Sequence, residues 1–259
     1  MKISKAGNLV SLEVELLPQS GQALGINPLD LPTLLTEGAQ GLGLTVPSNA
    51  TITPTPGTVI ASGSIKATEG GQVALVGQQV GVINGAIDVS GVNGGGTVRI
   101  GGDYQGKGSI PNSLTTVVDQ ASQIKADALT QGNGGKVIVW ADGHTQFNGL
   151  ITAKGGLLGG DGGFAEVSGK QTLRFDGKVN LSAIQGQFGT LLLDPTDVTI
   201  SNISTGTGNG DSLNGNIPST ATPDNMTLSQ GSLEGLAAST NILIEATNNI
   251  RSYALSKMK

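Results

Sequence analysis

The chain has no cysteine, and aromatic residues make up only 3% of its 259 residues. Without cysteine it can form no disulfide, no thiolate metal site and no thiol nucleophile. Apolar residues amount to 37%, which is below the roughly 45–50% of ordinary globular domains. The composition therefore disfavours a wide core of large side chains and favours a narrow one of valine, isoleucine, leucine and alanine.

Basic residues are also scarce, with 14 lysines and arginines against 19 acidic residues and a net charge of −5. Nucleic acid is not an expected partner, because binding it needs a concentrated cationic face. No apolar run approaches the roughly 20 residues of a membrane-spanning helix, so no transmembrane segment is predicted. Residues 1–8 are basic with no apolar stretch behind them, which predicts no signal peptide in this chain. We expect either an intracellular protein or a fragment whose leader lies elsewhere.

Glycine is abundant, at 42 residues, and it marks a repeat. A Gly-Gly pair followed by an alternating apolar run occurs at 70–76, 95–100, 134–140 and 162–167, with a looser copy at 189–193. Measured at the second glycine, the steps are 25 (71 to 96), 39 (96 to 135), 28 (135 to 163) and 26 (163 to 189). Repeats of this length are typical of stacked units that cannot bury an apolar face alone.

Each repeat contains three strand-like segments separated by glycine or asparagine turns. Apolar residues alternate along them, which places one set on an inner face: Val73, Leu75, Ile87, Val89, Ile151, Ala153, Val179 and Leu181. Another set falls on the outer face: Lys66, Asp88, Lys125, Thr152, Lys154 and Asn180. We therefore predict an all-β, right-handed parallel β-helix with three strands per coil and about 22–28 residues per coil. Val73, Val98, Val137 and Ala165 should then stack in a buried column.

The predicted organisation has four parts. Residues 1–57 form an irregular lead-in with one strand at 8–17, and residues 58–200 form the β-helix. A loop insertion at 103–118 accounts for the 39-residue step. Residues 201–225, rich in serine, threonine, glycine and asparagine, are predicted to be a flexible loop. Residues 226–259 are predicted to contain a short helix, a strand and a truncated tail.

Loops inserted at one corner of a repeat commonly carry the binding residues. The candidate ligand-contact residues in this loop are Asp103, Tyr104, Gln105 and Lys107. Residues 101–108 nearly match a phosphate-binding loop, but Gly108 stands where a hydroxyl should hold Mg²⁺. The Gly/Asp segments 159–163 and 206–211 miss the register of calcium-binding repeats. We therefore predict no cofactor and no metal site.

Four segments together resemble the filamentous-haemagglutinin-like exoproteins, particularly the large cyanobacterial ones. They are 95–108 (GGTVRIGGDYQGKG), 133–142 (NGGKVIVWAD), 162–170 (GGFAEVSGK) and 191–200 (LLLDPTDVTI). The resemblance covers roughly residues 63–250. It implies a secreted, cell-surface β-helical adhesin or exoprotein exported through an outer-membrane transporter of the two-partner type. The chain lacks the family's leader and recognisable secretion domain and is short, which indicates an internal or truncated passenger fragment.

The resemblance favours non-catalytic attachment, with glycans or cell surfaces as the expected partners, over two alternatives. One is a β-helical polysaccharide lyase or hydrolase, which would need paired carboxylates among Asp88, Asp127, Asp142, Glu166 and Asp176. The other is a purely structural spacer. The single histidine, His144, is predicted to be an exposed strand residue. Trp140 is predicted to cap the lumen or a groove, where stacking on a sugar is an open alternative.

Overall fold

The structure is a computed structural model that describes residues 57–67, 69–201 and 238–253 and the isolated positions 233, 235 and 236. It also describes strand 226–229 and the backbone of three N-terminal strands within 2–26. All of the strands lie in sheets, and three of these sheets are built from parallel strands in rotation along the chain. The described fold is therefore all-β, with stacked parallel sheets, as the sequence predicted.

The first sheet runs along one side of the stack. It contains β2 (Leu9–Leu16), β5 (Ser64–Ala67), β8 (Ala86–Asp88), β11 (Gln123–Lys125), β14 (Leu150–Thr152) and β17 (Lys178–Asn180), with β1 (Lys2–Ala6) antiparallel to β2.

The second sheet contains β4 (Thr58–Ala61), β7 (Gln79–Val82), β10 (Thr115–Val118), β13 (His144–Phe147) and β16 (Thr172–Phe175). The third contains β3 (Leu24–Ile26), β6 (Gln72–Leu75), β9 (Thr97–Ile100), β12 (Lys136–Ala141), β15 (Phe164–Gly169), β18 (Thr190–Leu193) and β21 (Asn241–Ile244). A small fourth sheet joins β19 (Asp197–Ser201), β20 (Met226–Ser229) and β22 (Asn249–Tyr253).

Within the three large sheets, each strand of the stack pairs with the strand three places further along the chain. One repeat therefore contributes one strand to the third, second and first sheet in turn. The predicted column is present: Val98 pairs with Val73 and Val137, and Val137 pairs with Ala165. These four side chains are at most 3% exposed, so the prediction that they stack in the interior is confirmed.

The inward-facing residues of all three sheets belong to one hydrophobic cluster. It is filled mainly by valine, isoleucine, leucine and alanine, because the interior between short strands leaves little room for larger side chains. Phe147 and Phe175 are the exceptions, and their rings stack at 5.7 Å between centroids. The predicted outer positions are mostly accessible, but Thr152 is buried and donates to Asp127 Oδ2 at 3.0 Å.

The Gly-Gly pairs lie at the corner where the chain passes from the first sheet to the third. A Cβ on Gly162 would lie 1.8 Å from the carbonyl oxygen of Leu181, and one on Gly135 would lie 2.0 Å from that of Gly96. Both obstacles are backbone atoms, which cannot move aside without breaking the ladder. Glycine is required here by close contact between coils.

Two predicted boundaries differ from the structure. The inserted loop spans 101–114 rather than 103–118, because Thr115–Val118 is the β-branched strand β10 between β7 and β13. The lead-in contains three strands rather than one. The two additional strands are Lys2–Ala6, which pairs with β2, and Leu24–Ile26, which pairs with β6. Segments this short carry too few residues for an alternating pattern to identify them as strands. Residues 27–56 of the lead-in lie outside the described residues.

The C-terminal part contains more strand than predicted. Positions 233, 235 and 236 are helical, and Asn241–Ile244 is a strand. The segment Asn249–Tyr253, which overlaps the predicted truncated tail, pairs in parallel with Asp197–Ser201. The predicted flexible loop at 201–225 lies outside the described residues from 202 onward, as do residues 254–259.

Candidate functional site

Residues 101–114, named here the capping loop, lie over the outer face of the third sheet. The loop is closed at its base, where the Gly101 carbonyl accepts the Ser113 N–H at 2.7 Å. The indole of Trp140 lies directly beneath it, and a Cβ on Gly106 would come within 2.5 Å of the Trp140 ring. The inserted residues therefore cover a sheet rather than project into solvent. Trp140 accordingly packs between sheet and loop and does not cap the interior.

Further hydrogen bonds attach the loop to the sheet. The Asn112 side-chain amide donates to the Gly106 carbonyl at 2.9 Å and to Asp142 Oδ1 at 3.1 Å. The Trp140 indole N–H donates to the same Asp142 oxygen at 3.3 Å. Asn112 thus joins the loop to a carboxylate that also binds Trp140 of the underlying coil, which favours a single loop conformation.

Asp103 begins a single 3₁₀ turn, Tyr104–Gly106. Its carboxylate accepts the Tyr104 N–H at 2.8 Å and forms an ion pair with Arg99 Nε at 3.0 Å. Arg99 lies on the outer face of β9, four residues earlier. Asp103, predicted to contact a ligand, therefore serves to shape the loop.

Tyr104 and two residues of the third sheet form an aromatic and cationic cluster. The rings of Tyr104 and Phe164 meet edge to face, with their centroids 5.8 Å apart. The Lys136 ammonium lies 4.9 Å from the Tyr104 ring centroid. The ammonium is also 5.7 Å from the Phe164 ring centroid. Such cation–π contacts contribute about 0.5–1 kcal/mol at accessible sites. Tyr104 is still 39% exposed, so part of its ring faces solvent.

Gln105 covers a buried carboxylate. Its backbone N–H lies 3.1 Å from both oxygens of Glu166, and its side-chain amide donates to Glu245 Oε2 at 3.4 Å. The backbone of Gln105 is left-handed, at φ 53°, a conformation that costs energy for a residue other than glycine. Lys107 is exposed, and its ammonium donates to the Gln105 side-chain oxygen at 2.9 Å.

Glu166 has no exposed surface. Burial, together with the negative charge of Asp194, raises its pKa from 4.5 to about 7, although the Gln105 N–H and Lys136 favour the charged form. Burial and the charge of Glu245 also raise the pKa of Asp194, against the opposing effect of Lys107. Three carboxylates from successive coils thus share one region beneath and beside the capping loop.

The structure brings all four predicted contact residues together in this loop but gives them different roles. Asp103 and the backbone of Gln105 hold the loop in place, whereas Tyr104 and Lys107 are accessible. Sequence reasoning did not assign roles to Lys136, Phe164, Asp194 or Glu245. Phe164 and Glu166 lie on either side of the inward-facing Ala165 in β15, and nothing local indicated that a loop 60 residues earlier would cover them.

The other candidates are dispersed. Asp127 pairs with Lys154 at 3.9 Å and Asp142 binds Trp140 and Asn112. His144, predicted to be exposed, is buried, and its Nδ1 lies 2.8 Å from the Thr172 hydroxyl of the next coil. Among the described residues no group of three or more His, Asp or Glu side chains is placed to hold a metal ion. Nor does that part of the chain contain a helix long and apolar enough to cross a membrane.

No protein-family model matches this chain, and no curated protein matches it.

Proposed function

We propose that the chain is a non-catalytic segment of a secreted or cell-surface exoprotein, and that it mediates attachment through an extended surface. The observation that carries the proposal is the capping loop fixed on a stack of parallel sheets, with Tyr104 and Lys107 accessible on its outer side. A stack of repeats supplies a long rigid surface rather than one deep pocket. Loops held by such a scaffold are where binding residues concentrate.

The proposal includes a closed, right-handed β-helix. Each repeat visits the third, second and first sheets in order, and the inner faces of all three sheets share one core cluster. These features support closure. The hand follows from the rule that connections between parallel strands are right-handed in about 98% of cases. Export through an outer-membrane transporter of the two-partner type and binding to glycans or cell surfaces belong to the same proposal.

The test compares two double variants of the full chain, coated on fluorescent beads and applied to immobilised polysaccharides and to cultured cells. Tyr104→Ala with Lys107→Ala removes the accessible loop side chains. Lys66→Ala with Lys125→Ala is the control, because both lysines are exposed on the first sheet. We expect roughly tenfold weaker attachment for the loop variant, since a tyrosine at a contact centre commonly contributes more than 1 kcal/mol. Equal retention of both variants would contradict the role of the loop.

One observation favours a carbohydrate-active enzyme as the second candidate, namely the cluster of Glu166, Asp194 and Glu245, in which burial raises the pKa values of Glu166 and Asp194. Against it, Glu166 is inaccessible beneath Gln105. Turnover of a polysaccharide that Glu166→Gln abolishes would favour the enzyme. The third candidate is a purely structural spacer. If the chain is a spacer, deleting residues 103–111 should leave attachment unchanged.

A further inference from the structure

An open groove of about 560 Å³ crosses the stack at the glycine corner, beside the capping loop. Its floor is formed by the Gly-Gly pairs of successive coils: Gly95 and Gly96, Gly134 and Gly135, Gly162 and Gly163, and Gly189. The groove spans four coils, or about 14 Å at roughly 4.8 Å per strand spacing. Since the glycines lack side chains, the groove follows the long axis of the stack as far as Phe188 in the last coil. This groove is named here the glycine groove.

The two sides of the glycine groove differ in chemistry. In every coil the chain crosses the floor in the same direction, so the residues before the glycines line one side and those after them line the other. The first side carries Asn133, Asp161 and Gln187, and Phe188 stands in the last coil at the position of the first glycine. The second side carries the in-register row Thr97, Lys136, Phe164 and Thr190.

The first side is held in a regular ladder. The Asp161 N–H donates to Asn133 Oδ1 at 2.9 Å, and the Gln187 N–H donates to Asp161 Oδ1 at 2.8 Å. Phe188, at 40% exposed, is fixed by its carbonyl, which accepts the Asn241 side-chain amide at 2.7 Å. Polar side chains, an amide or a carboxylate, therefore recur along the groove at the spacing of the coils, and Phe188 lies at its end.

The floor has no backbone donors left to pair with a peptide. The N–H of the first glycine of a pair donates to the next coil, as from Gly134 to Asp161 at 2.9 Å. The N–H of the second donates within its own coil, as from Gly135 to Ala126 at 2.7 Å. Peptides that add a strand need an unpaired sheet edge, which this floor does not provide. The ligand must instead be recognised by the side chains of the two sides.

The charges exclude a strongly ionic ligand. The lining contains one basic residue, Lys136, and one acidic residue, Asp161. The ammonium of Lys136 already lies over the Tyr104 ring. Recognition therefore depends on aromatic faces and on neutral hydrogen-bonding groups. A sugar chain matches both requirements, because its C–H faces pack on aromatic rings and its hydroxyls pair with amide and carboxylate groups.

We propose that the glycine groove binds a neutral polysaccharide chain lying parallel to the stack axis, with Phe188 and Phe164 as the stacking surfaces. This proposal rests on the attachment function proposed above and specifies the class of ligand. The ladder side offers successive sugar units an amide, a carboxylate and a second amide, from Asn133, Asp161 and Gln187. The capping loop borders the same surface through Tyr104, which contacts Phe164.

The experiment measures by isothermal titration calorimetry the binding of cellohexaose, xylohexaose and mannohexaose to the full chain. Phe188→Ala removes a stacking surface inside the groove. Leu157→Ala is the matched control, because this leucine is 59% exposed and does not line the groove. Gln187→Ala, also exposed, tests the ladder side without altering a ring. Equal melting temperatures for all the variants establish that each is folded.

We expect at least one hexasaccharide to bind, with a Kd at least tenfold weaker for Phe188→Ala, weaker for Gln187→Ala and unchanged for Leu157→Ala. Binding of none of the three, or binding that Phe188→Ala leaves unchanged, would overturn the groove proposal. The attachment assay separates the two ideas. Attachment without hexasaccharide binding refutes the groove and leaves the attachment function standing. Hexasaccharide binding without cell or polysaccharide attachment refutes the attachment function alone.

Discussion

Neutralising Glu166 should change how the stability of the fold depends on pH. In the folded chain burial raises the pKa of Glu166 from 4.5 to about 7. Between these values the folded state holds a proton that the unfolded state has released. The free energy of unfolding must therefore fall as pH rises from 4.5 to about 7 and level off above that. Asp194, whose pKa burial also raises, contributes in the same direction.

The size of the effect follows from the shift. A rise from 4.5 to about 7 corresponds to roughly 3 kcal/mol at about 1.4 kcal/mol per pKa unit. Glu166→Gln keeps an oxygen that accepts the Gln105 N–H and removes the charge. We expect this variant to match the wild type near pH 4.5 and to exceed it by about 3 kcal/mol at pH 8. It should retain only the weaker pH dependence due to Asp194.

The assay is urea unfolding of the full chain at pH 4.5, 6, 7 and 8, followed by fluorescence. Trp140 is the only tryptophan and lies under the capping loop, so its emission reports on the loop and the third sheet together. Asp176→Asn, at an exposed carboxylate, controls for loss of charge alone. If Glu166→Gln and the wild type lose stability equally between pH 4.5 and 8, the burial argument is wrong.

Two further substitutions test the stack. Gly135→Ala should destabilise the fold by about 3 kcal/mol or more, because its Cβ would lie 2.0 Å from the Gly96 carbonyl oxygen. Gly235→Ala, with no atom within 4 Å of the added carbon, is the control and should change little; equal melting temperatures would contradict the close-contact argument. Phe147→Ala should cost about 3–5 kcal/mol, because it removes a fully buried ring stacked on Phe175. A loss below about 1 kcal/mol in chemical denaturation would mean that this part of the core repacks or is not formed.

The strand stack could be predicted because its causes are local and repeated. Gly-Gly pairs mark the corners, and alternation over four residues identifies the buried face, as for Val73 and Leu75. The same alternation marked Lys66 and Lys125 as outer residues, and both are exposed. Thr115–Val118 was placed in the loop because a β-branched run with all four residues buried shows no alternation.

The candidate site could be predicted only in part, because it depends on contacts between distant coils. The glycine-rich composition of residues 101–108 indicated a loop, but it did not indicate that the loop packs against the third sheet. The pKa of Glu166 is raised by burial beneath the capping loop and by the charge of Asp194 on the following coil, against the N–H of Gln105, 61 residues earlier, which favours the charged form. His144 was misjudged for the same reason, since its partner Thr172 belongs to the next repeat.

The central claim is that successive repeats lie on top of one another, and spin-label distances test it directly. Lys66, Asp88, Lys125, Thr152 and Asn180 are paired in register along the first sheet. The chain has no cysteine, so Lys66→Cys with Asn180→Cys labels only these two positions. At four strand spacings of roughly 4.8 Å, we predict a backbone separation of about 19 Å, and about 14 Å for Asp88→Cys with Asn180→Cys. Broad distributions, or no shortening by one strand spacing between the two pairs, would contradict the stack.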